Sequence, residues 1–160
     1  HRCMTLLLRQ QPVASDLRFI SAAMKVVTDV ERIGDHSADI AEIVPHLAGV
    51  RKAGNPAVSR SIEMGRKAHK MLQDAMSAFA AEDEAAAKAV IDADDAVDYD
   101  FNTIKRMLAA EIAADSGKVD AALDVLMVIK YLERIGDHAV NIAEWVEFLR
   151  TGRYHHEKMF

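Results

Sequence analysis

Acidic residues in two copies of one short motif are the positions best suited to chemistry. The six residues from Glu31 to His36 read Glu-Arg-Ile-Gly-Asp-His, and they return unchanged from Glu133 to His138, 102 positions later. In each copy the Glu and the Asp stand four residues apart, which places both carboxylates on one face of a helix. A carboxylate at the edge of an apolar face is costly unless it is paired with a cation or bound to a metal ion.

A further acidic pair with the same spacing precedes the second copy. Asp94 and Asp98 lie at the edge of an apolar stripe on the predicted preceding helix. If that helix runs antiparallel to the next one, Asp94 and Asp98 face Glu133 and Asp137 in a four-carboxylate cluster. All-oxygen ligands suit hard or borderline cations such as Mg²⁺, Mn²⁺, Fe or Ca²⁺. The sequence therefore predicts a metal site between these two helices.

A plainer interpretation stays open for each pair. Acidic residues four apart are common on solvated helix faces, and Glu133 or Asp137 can instead form ion pairs with one of three neighbouring cations, Arg134, Arg106 and Lys130. Two further predictions concern nearby residues. His36 and His138 are expected to be surface or helix-contact residues rather than ligands, because their helical azimuth departs from the Glu/Asp face. Glu144 is expected to be an ordinary solvated charge.

Composition limits the class of protein. The 160 residues are half hydrophobic, with abundant Ala and Met and few Gly or Pro, which favours an all-α protein. A net charge of −5 and a pI near 5.8 argue against a nucleic-acid partner. The single Cys3 excludes an internal disulfide and fits a reducing compartment. No apolar run approaches the ~20 residues that span a bilayer. Because the chain begins with His1 inside an apparent helix, we expect it to be a fragment.

Apolar spacing and the positions of Gly and Pro predict five helices. They cover residues 2–10, 13–47, 57–81, 83–114 and 118–150. Gly136 lies inside the apolar stripe of the last helix, where glycine costs about 1 kcal/mol relative to alanine. Close approach of a neighbouring helix is the usual reason for such a residue, so we expect one there.

The internal repeat predicts two structural units of one kind. Residues 1–48 form a partial first unit, with the end of its second helix and its long third helix. Residues 49–56 form a linker, residues 57–152 a complete three-helix bundle, and residues 153–160 a tail. Because the first unit is incomplete, the long helix 13–47 is expected to carry an apolar face that lacks partners.

The duplicated motif, together with segments 10–20, 71–83 and 94–98, resembles the PhoU family of phosphate-uptake regulators. The resemblance covers essentially the whole chain and departs from the family only at the beginning. It implies two three-helix bundles related by pseudo-twofold symmetry, the first one incomplete. It also implies metal sites at three acidic pairs, with Fe, Mn, Mg or Zn as the candidate ion: Glu31/Asp35, Asp94/Asp98 and Glu133/Asp137. The first of these sites is expected to be incomplete, because its facing pair falls before residue 1.

Family resemblance further implies a cytoplasmic, non-enzymatic adaptor at the inner membrane face. Its expected partners are the ATPase of the phosphate ABC transporter and the phosphate-sensing histidine kinase, both held down when phosphate is plentiful. A homodimer is also expected. Two alternatives remain, a carboxylate-bridged dimetal enzyme and a purely structural bundle. The enzyme is disfavoured because such sites use a Glu-x-x-His pair, whereas Glu133 and His138 are five residues apart.

Overall fold

The computed structural model describes residues 2–154 and 157–158, and helices make up nearly all of that part. They are α1 (Arg2–Gln10), α2 (Ala14–Ile43), α3 (Ala48–Lys52), α4 (Pro56–Ala81), α5 (Glu84–Ala114) and α6 (Val119–Thr151). The all-α prediction is confirmed, as are the five predicted helices to within a few residues at their ends. No helix in the described part combines the length and the apolar character that crossing a bilayer demands.

The long second helix ends earlier than the sequence predicts. Regular α-helix stops at Ile43, and a 3-10 turn follows at Val44–Leu47. Pro45 explains the change, because its ring nitrogen has no proton to donate to the preceding turn. The predicted linker is also partly wrong, since its first residues form α3 and only residues 53–55 are non-helical.

Side-chain caps fix the start of the two helices that form the second unit's hairpin. Asn55 accepts hydrogen bonds from the backbone N–H groups of Ala57 and Val58 at the start of α4. Asp83 does the same for the first turn of α5. Between them Glu82 takes a left-handed conformation (φ 53°), which ends α4 and lets the chain reverse.

Helix α6 lies at the centre of the molecule. Helices α4 and α5 pack against each other and against α6, which forms the predicted three-helix bundle, while α2 packs on another side of α6. The core between them holds the largest fully buried side chains, Phe148, Met64, Ile104, Ile129, Ile142, Val90, Val97, Val125 and Val146. Every element of the candidate site is therefore attached to α6.

The two motif-bearing helices differ in what covers them. Ile129 and Val146 of α6 are fully buried under the hairpin of α4 and α5. Their counterparts 102 positions earlier are Val27 of α2, which is 65% exposed, and Val44 of the 3-10 turn that follows α2, which is 49% exposed. The predicted apolar face of the long helix is thus present on α2, and no described helix covers it.

The predicted tail is not without structure. Its residues Arg153–Tyr154 (β1) and Glu157–Lys158 (β2) pair as a short antiparallel hairpin, with Arg153 opposite Lys158. The ring of Tyr154 stacks on Trp145 of α6 with centroids 3.9 Å apart. This contact packs β1 against α6.

Candidate carboxylate site

The packing of α5 on α6 places the two acidic pairs of the second unit in one electrostatic neighbourhood. Burial raises the pKa of Asp94 to about 6, and repulsion from Asp98, Asp137 and Glu133 adds to the increase. Burial also raises the pKa of Asp137, with a further contribution from Glu133. Repulsion between charges extends over about 10 Å at ordinary ionic strength, so it indicates a shared neighbourhood rather than mutual contact of the four carboxylates.

Gly136 makes the close approach of α5 to α6 possible. A Cβ atom at Gly136 would lie 3.2 Å from Oδ1 of Asp94 and 3.6 Å from Cγ1 of Val97. A glycine inside α6 therefore leaves the room in which α5 and its carboxylate sit, as the sequence predicts. At Gly34, the same position of the first copy, nothing lies within 4 Å.

Cations from the same helix already contact the two acids of α6. The Lys130 ammonium donates to Glu133, and Nη1 of Arg134 lies 3.6 Å from Oδ2 of Asp137. The ion-pair interpretation is therefore realised at both acids. Burial and the neighbouring carboxylates nevertheless outweigh the two cations, because the net effect on the pKa of Asp137 is still an increase.

The four carboxylates suit a metal ion in their chemistry but not in their present arrangement. Four carboxylates with repelling charges are the donors that a hard or borderline dication prefers. Their present arrangement is looser: among residues 2–154 and 157–158, no three His, Cys, Asp or Glu side chains are gathered closely enough to hold an ion. The donor atoms thus suit a metal ion, whereas metal coordination would require the side chains to rotate. Metal binding at these residues stays a prediction.

The first copy of the motif is open to solvent. Glu31 and Asp35 are both exposed, and no described helix brings carboxylates to face them. The prediction that the first site lacks its facing pair is consistent with this exposure. The structure thus places Asp94, Asp98, Glu133 and Asp137 within reach of one another's charge, without gathering them into a ligand set, and it leaves Glu31 and Asp35 exposed on α2.

The two motif histidines are helix contacts, as the sequence predicts. Nδ1 of His138 lies 2.9 Å from Oδ1 of Asp29 on α2, and the amide of Asn141 donates to the same oxygen at 3.2 Å. His36 stacks on Tyr131 and on His138, with ring centroids 5.5 and 5.6 Å apart. The motifs therefore also join α2 to α6.

A polar cavity links this junction to the carboxylates. Its volume is about 320 Å³, and it is lined by Asp94, Arg134, Asp137, His138, Val140, Asn141 and Glu144. Glu144 is half-buried, so the prediction of an ordinary solvated charge is wrong. Its carboxylate accepts a hydrogen bond from the Tyr154 hydroxyl, whose pKa is raised to about 12 by burial and by the nearby charges of Glu144 and Asp29.

Sequence reasoning missed three acidic or phenolic residues of this region. Asp29 lies two positions before the motif, in place of Tyr131 in the second copy, and nothing local marks it as a partner of His138. Tyr154 belongs to the predicted tail. Asp100 is 3% exposed and binds Arg60 and Lys67 of α4. The sequence does mark Asp100 as a buried residue, because it stands three residues after Val97 and four before Ile104, inside the apolar stripe.

Comparison with known proteins assigns the family. The PhoU domain model matches residues 1–44 and 62–146. The chain is 37% identical over 154 residues to a phosphate-specific transport system accessory protein PhoU homolog of Clostridium acetobutylicum, covering 96% of this chain and 69% of that protein. It is 38% identical over 152 residues to the homolog of Pseudomonas aeruginosa, covering 94% and 62%.

Solved structures agree with these sequence matches. The fold superposes on a crystal structure of PhoU from Pseudomonas aeruginosa, with a TM-score of 0.87 and 37% identity over 94% of this chain and 72% of that one. The phosphate transport system regulatory protein PhoU from Streptococcus pneumoniae gives a TM-score of 0.84 and 29% identity, covering 96% and 70%. The chain spans roughly three fifths to two thirds of the length of its relatives. Its duplicated motif, its helical bundle and these matches agree that the chain belongs to the PhoU domain family.

Proposed function

We propose that this protein is a regulatory adaptor of phosphate uptake. The observation that carries the proposal is the family match over both copies of the motif. Relatives that share more than a third of its residues are named accessory proteins of a phosphate-specific transport system. An accessory protein acts through contacts with other proteins, and a rigid scaffold of long helices provides surfaces for such contacts.

The proposed partners are the ATPase of the phosphate ABC transporter and the phosphate-sensing histidine kinase, both restrained when phosphate is plentiful. A transporter ATPase works on the cytoplasmic side of the membrane, so we place the adaptor there as a peripheral protein. The names of the relatives support an association with the transport system. The kinase, the negative sign of the regulation and a homodimer rest on the family resemblance.

Metal binding is the second part of the proposal. Asp94, Asp98, Glu133 and Asp137 would hold a divalent or iron-type ion between α5 and α6. When bound, the ion would supply positive charge that relieves repulsion among the four carboxylates. Burial raises the pKa values of Asp94 and Asp137, and the neighbouring carboxylates raise them further; this second effect supports the proposal, because it reflects repulsion among the acids.

Neither alternative function gains comparable support. The relatives are accessory proteins rather than enzymes, which removes the basis for a dimetal enzyme. A purely structural bundle remains the contrast against which metal binding is tested. Purified protein should bind Mn²⁺ or Fe²⁺ in calorimetric titration, and the Glu133→Ala/Asp137→Ala variant should lose that binding. Glu31→Ala/Asp35→Ala is the matched control, and equal loss in both variants would argue against the second unit as the site.

A reporter experiment tests the regulatory role. The chain is expressed in a bacterial strain that lacks its own PhoU-type regulator and carries a phosphatase reporter of phosphate starvation. The expected result is repression of the reporter at high phosphate and release at low phosphate. Equal reporter activity with and without the chain, at matched protein levels, would contradict the proposal.

A further inference from the structure

The α4–α5 hairpin carries two partly exposed cations held side by side by one buried carboxylate. Oδ1 of Asp100 accepts hydrogen bonds from Nε and Nη2 of Arg60 at 3.2 and 2.8 Å, and Oδ2 accepts from Nζ of Lys67 at 2.6 Å. The Asp100 side chain is 4% exposed, whereas Arg60 and Lys67 are 37% and 45% exposed. One negative charge therefore anchors two positive charges at the surface.

This arrangement leaves positive charge and free donors facing solvent in a fixed geometry. A single carboxylate compensates only one of the two cations. A guanidinium carries five N–H donors and an ammonium three, and Asp100 takes only part of each set. Because Arg60 and Lys67 are already held in place, an incoming acidic group meets donors whose conformational entropy has largely been lost in folding.

Residue types that are common in protein interfaces lie next to Arg60. The guanidinium of Arg60 lies 5.7 Å from the ring centroid of Tyr99, whose side chain is 62% exposed. An open concavity of about 580 Å³ beside Arg60 is lined by Pro56, Met107 and the acidic Glu63, which pairs with Arg66. Arg, Tyr and Met are enriched at interface centres. We call Arg60, Lys67, Tyr99, Pro56 and Met107 the Arg60–Tyr99 patch.

Charge indicates the chemistry of the partner. Four Lys or Arg within residues 59–74 pair with three acids, Glu63, Asp74 and the buried Asp100, so this group keeps a net charge of +1 in a chain whose net charge is −5. A basic stretch on an acidic protein attracts an acidic surface and orients its approach. The concavity beside Arg60 has room for an aliphatic side chain of a partner whose carboxylate binds Arg60 and Lys67.

We propose that the Arg60–Tyr99 patch is a docking surface for a partner-protein segment that presents a carboxylate beside an aliphatic side chain. This inference rests on the proposed function, with the transporter ATPase as the partner to be tested. The patch lies on α4 and α5, on residues other than the four acids of the carboxylate site. Docking through the patch and metal binding between α5 and α6 are therefore separable by mutation.

Binding of the whole chain to the purified transporter ATPase, measured by biolayer interferometry, tests the patch. Tyr99→Ser and Lys67→Gln should each weaken binding by about ten-fold, as truncation at an interface centre does. Lys88→Gln is the matched control, because it removes the same charge from an exposed Lys88–Asp92 pair of the same hairpin. Its affinity should stay within about two-fold of the wild type. Circular dichroism melts verify that each variant is folded.

Three outcomes would overturn the docking surface. In the first, Tyr99→Ser and Lys67→Gln bind as tightly as the wild type while the reporter assay still shows repression, which rejects the patch and keeps the adaptor function. In the second, Lys88→Gln weakens binding as much as Lys67→Gln, which indicates unspecific charge attraction. In the third, the chain binds vesicles containing phosphatidylglycerol with the same sensitivity to Tyr99→Ser, which identifies a membrane as the occupant. Absence of both binding and repression would reject the adaptor function itself.

Discussion

His36 and His138, which occupy the same position in the two copies of the motif, stack on each other with ring centroids 5.6 Å apart and planes 28° from parallel. Each ring also contacts the residue seven positions before the other one. His36 stacks on Tyr131, and His138 lies against Asp29. The repeat thus generates two related contacts across one interface, an aromatic one and a charged one.

The charged contact should contribute more to stability than the ion pairs at the surface. Asp29 and His138 are only 13% and 19% exposed, and Asn141 shares the same carboxylate oxygen. We expect Asp29→Ala to lower the free energy of unfolding by about 1–2 kcal/mol, because two half-buried donors, the His138 ring and the Asn141 amide, lose their acceptor. Urea unfolding at pH 7.5 measures the change.

Asp39→Ala provides the control for that measurement on the same helix. Asp39 lies 4.0 Å from His36 and is 46% exposed, so its loss should cost less than about 0.5 kcal/mol. Equal costs for Asp29→Ala and Asp39→Ala would show that the Asp29–His138 contact contributes little to the interface.

Lowering the pH should weaken the aromatic contact in which His36 takes part. Burial, followed by the repulsion from His138, lowers the pKa of His36 below its ordinary value of 6.5. The unfolded chain then binds the proton more tightly than the folded one, so this group reduces stability as pH falls through 6.5. His36→Gln should lose less stability than the wild type between pH 7.5 and 5.5, in paired urea titrations. A steeper loss in His36→Gln would contradict the assignment.

The two motif glycines offer a matched pair of substitutions. Alanine favours a helix interior over glycine by about 1 kcal/mol, and at Gly34 nothing within 4 Å opposes the added methyl group. At Gly136 the same methyl group meets Oδ1 of Asp94 at 3.2 Å, so the carboxylate must move. We expect Gly34→Ala to raise the free energy of unfolding, and Gly136→Ala to raise it by about 0.5–1 kcal/mol less. Thermal unfolding of the two variants measures both changes. The same gain in stability at both positions would mean that α5 makes room for the methyl group at no cost in free energy.

The sequence predicts the helices of this fold well because their determinants are local. The positions of Gly and Pro mark the ends, and apolar spacing marks the buried faces, whereas the caps Asn55 and Asp83 are found only in the structure. Gly136 shows that a departure from local preference can also be informative, since a costly residue inside a stripe predicted a close helix. The errors at Pro45 and at residues 48–52 concern only how one long helix ends.

The candidate site is predicted less completely, because partners across an interface leave no local pattern. The spacing of four residues identified the acidic pairs, but it did not decide between ion pairs with Lys130 and Arg134 and a bound metal. Asp29 reaches His138 over 109 residues of sequence, and only the packing of α2 on α6 brings them together. Such contacts require knowledge of which helices are neighbours.

Removing one charge from the carboxylate site should stabilise the metal-free protein. The pKa of Asp94 is raised from 3.8 to about 6, so the folded chain holds this proton more tightly than the unfolded one. The stability that comes from the protonated form is present at low pH and is lost as pH rises through 6. Asp94→Asn should therefore raise the free energy of unfolding by about 1 kcal/mol at pH 7.5, after allowance for solvent screening.

The same substitution should have a smaller effect at pH 4.5, where Asp94 is largely protonated in the folded chain. Asp92→Asn is the control, because Asp92 is 61% exposed and paired with Lys88. It should change stability by less than about 0.5 kcal/mol at either pH. Urea titrations in the presence of a chelator compare the variants without bound metal. If Asp94→Asn destabilises the protein at pH 7.5, then Lys130 and Arg134 compensate the carboxylates more fully than the pKa values indicate, and the case for a bound cation weakens with it.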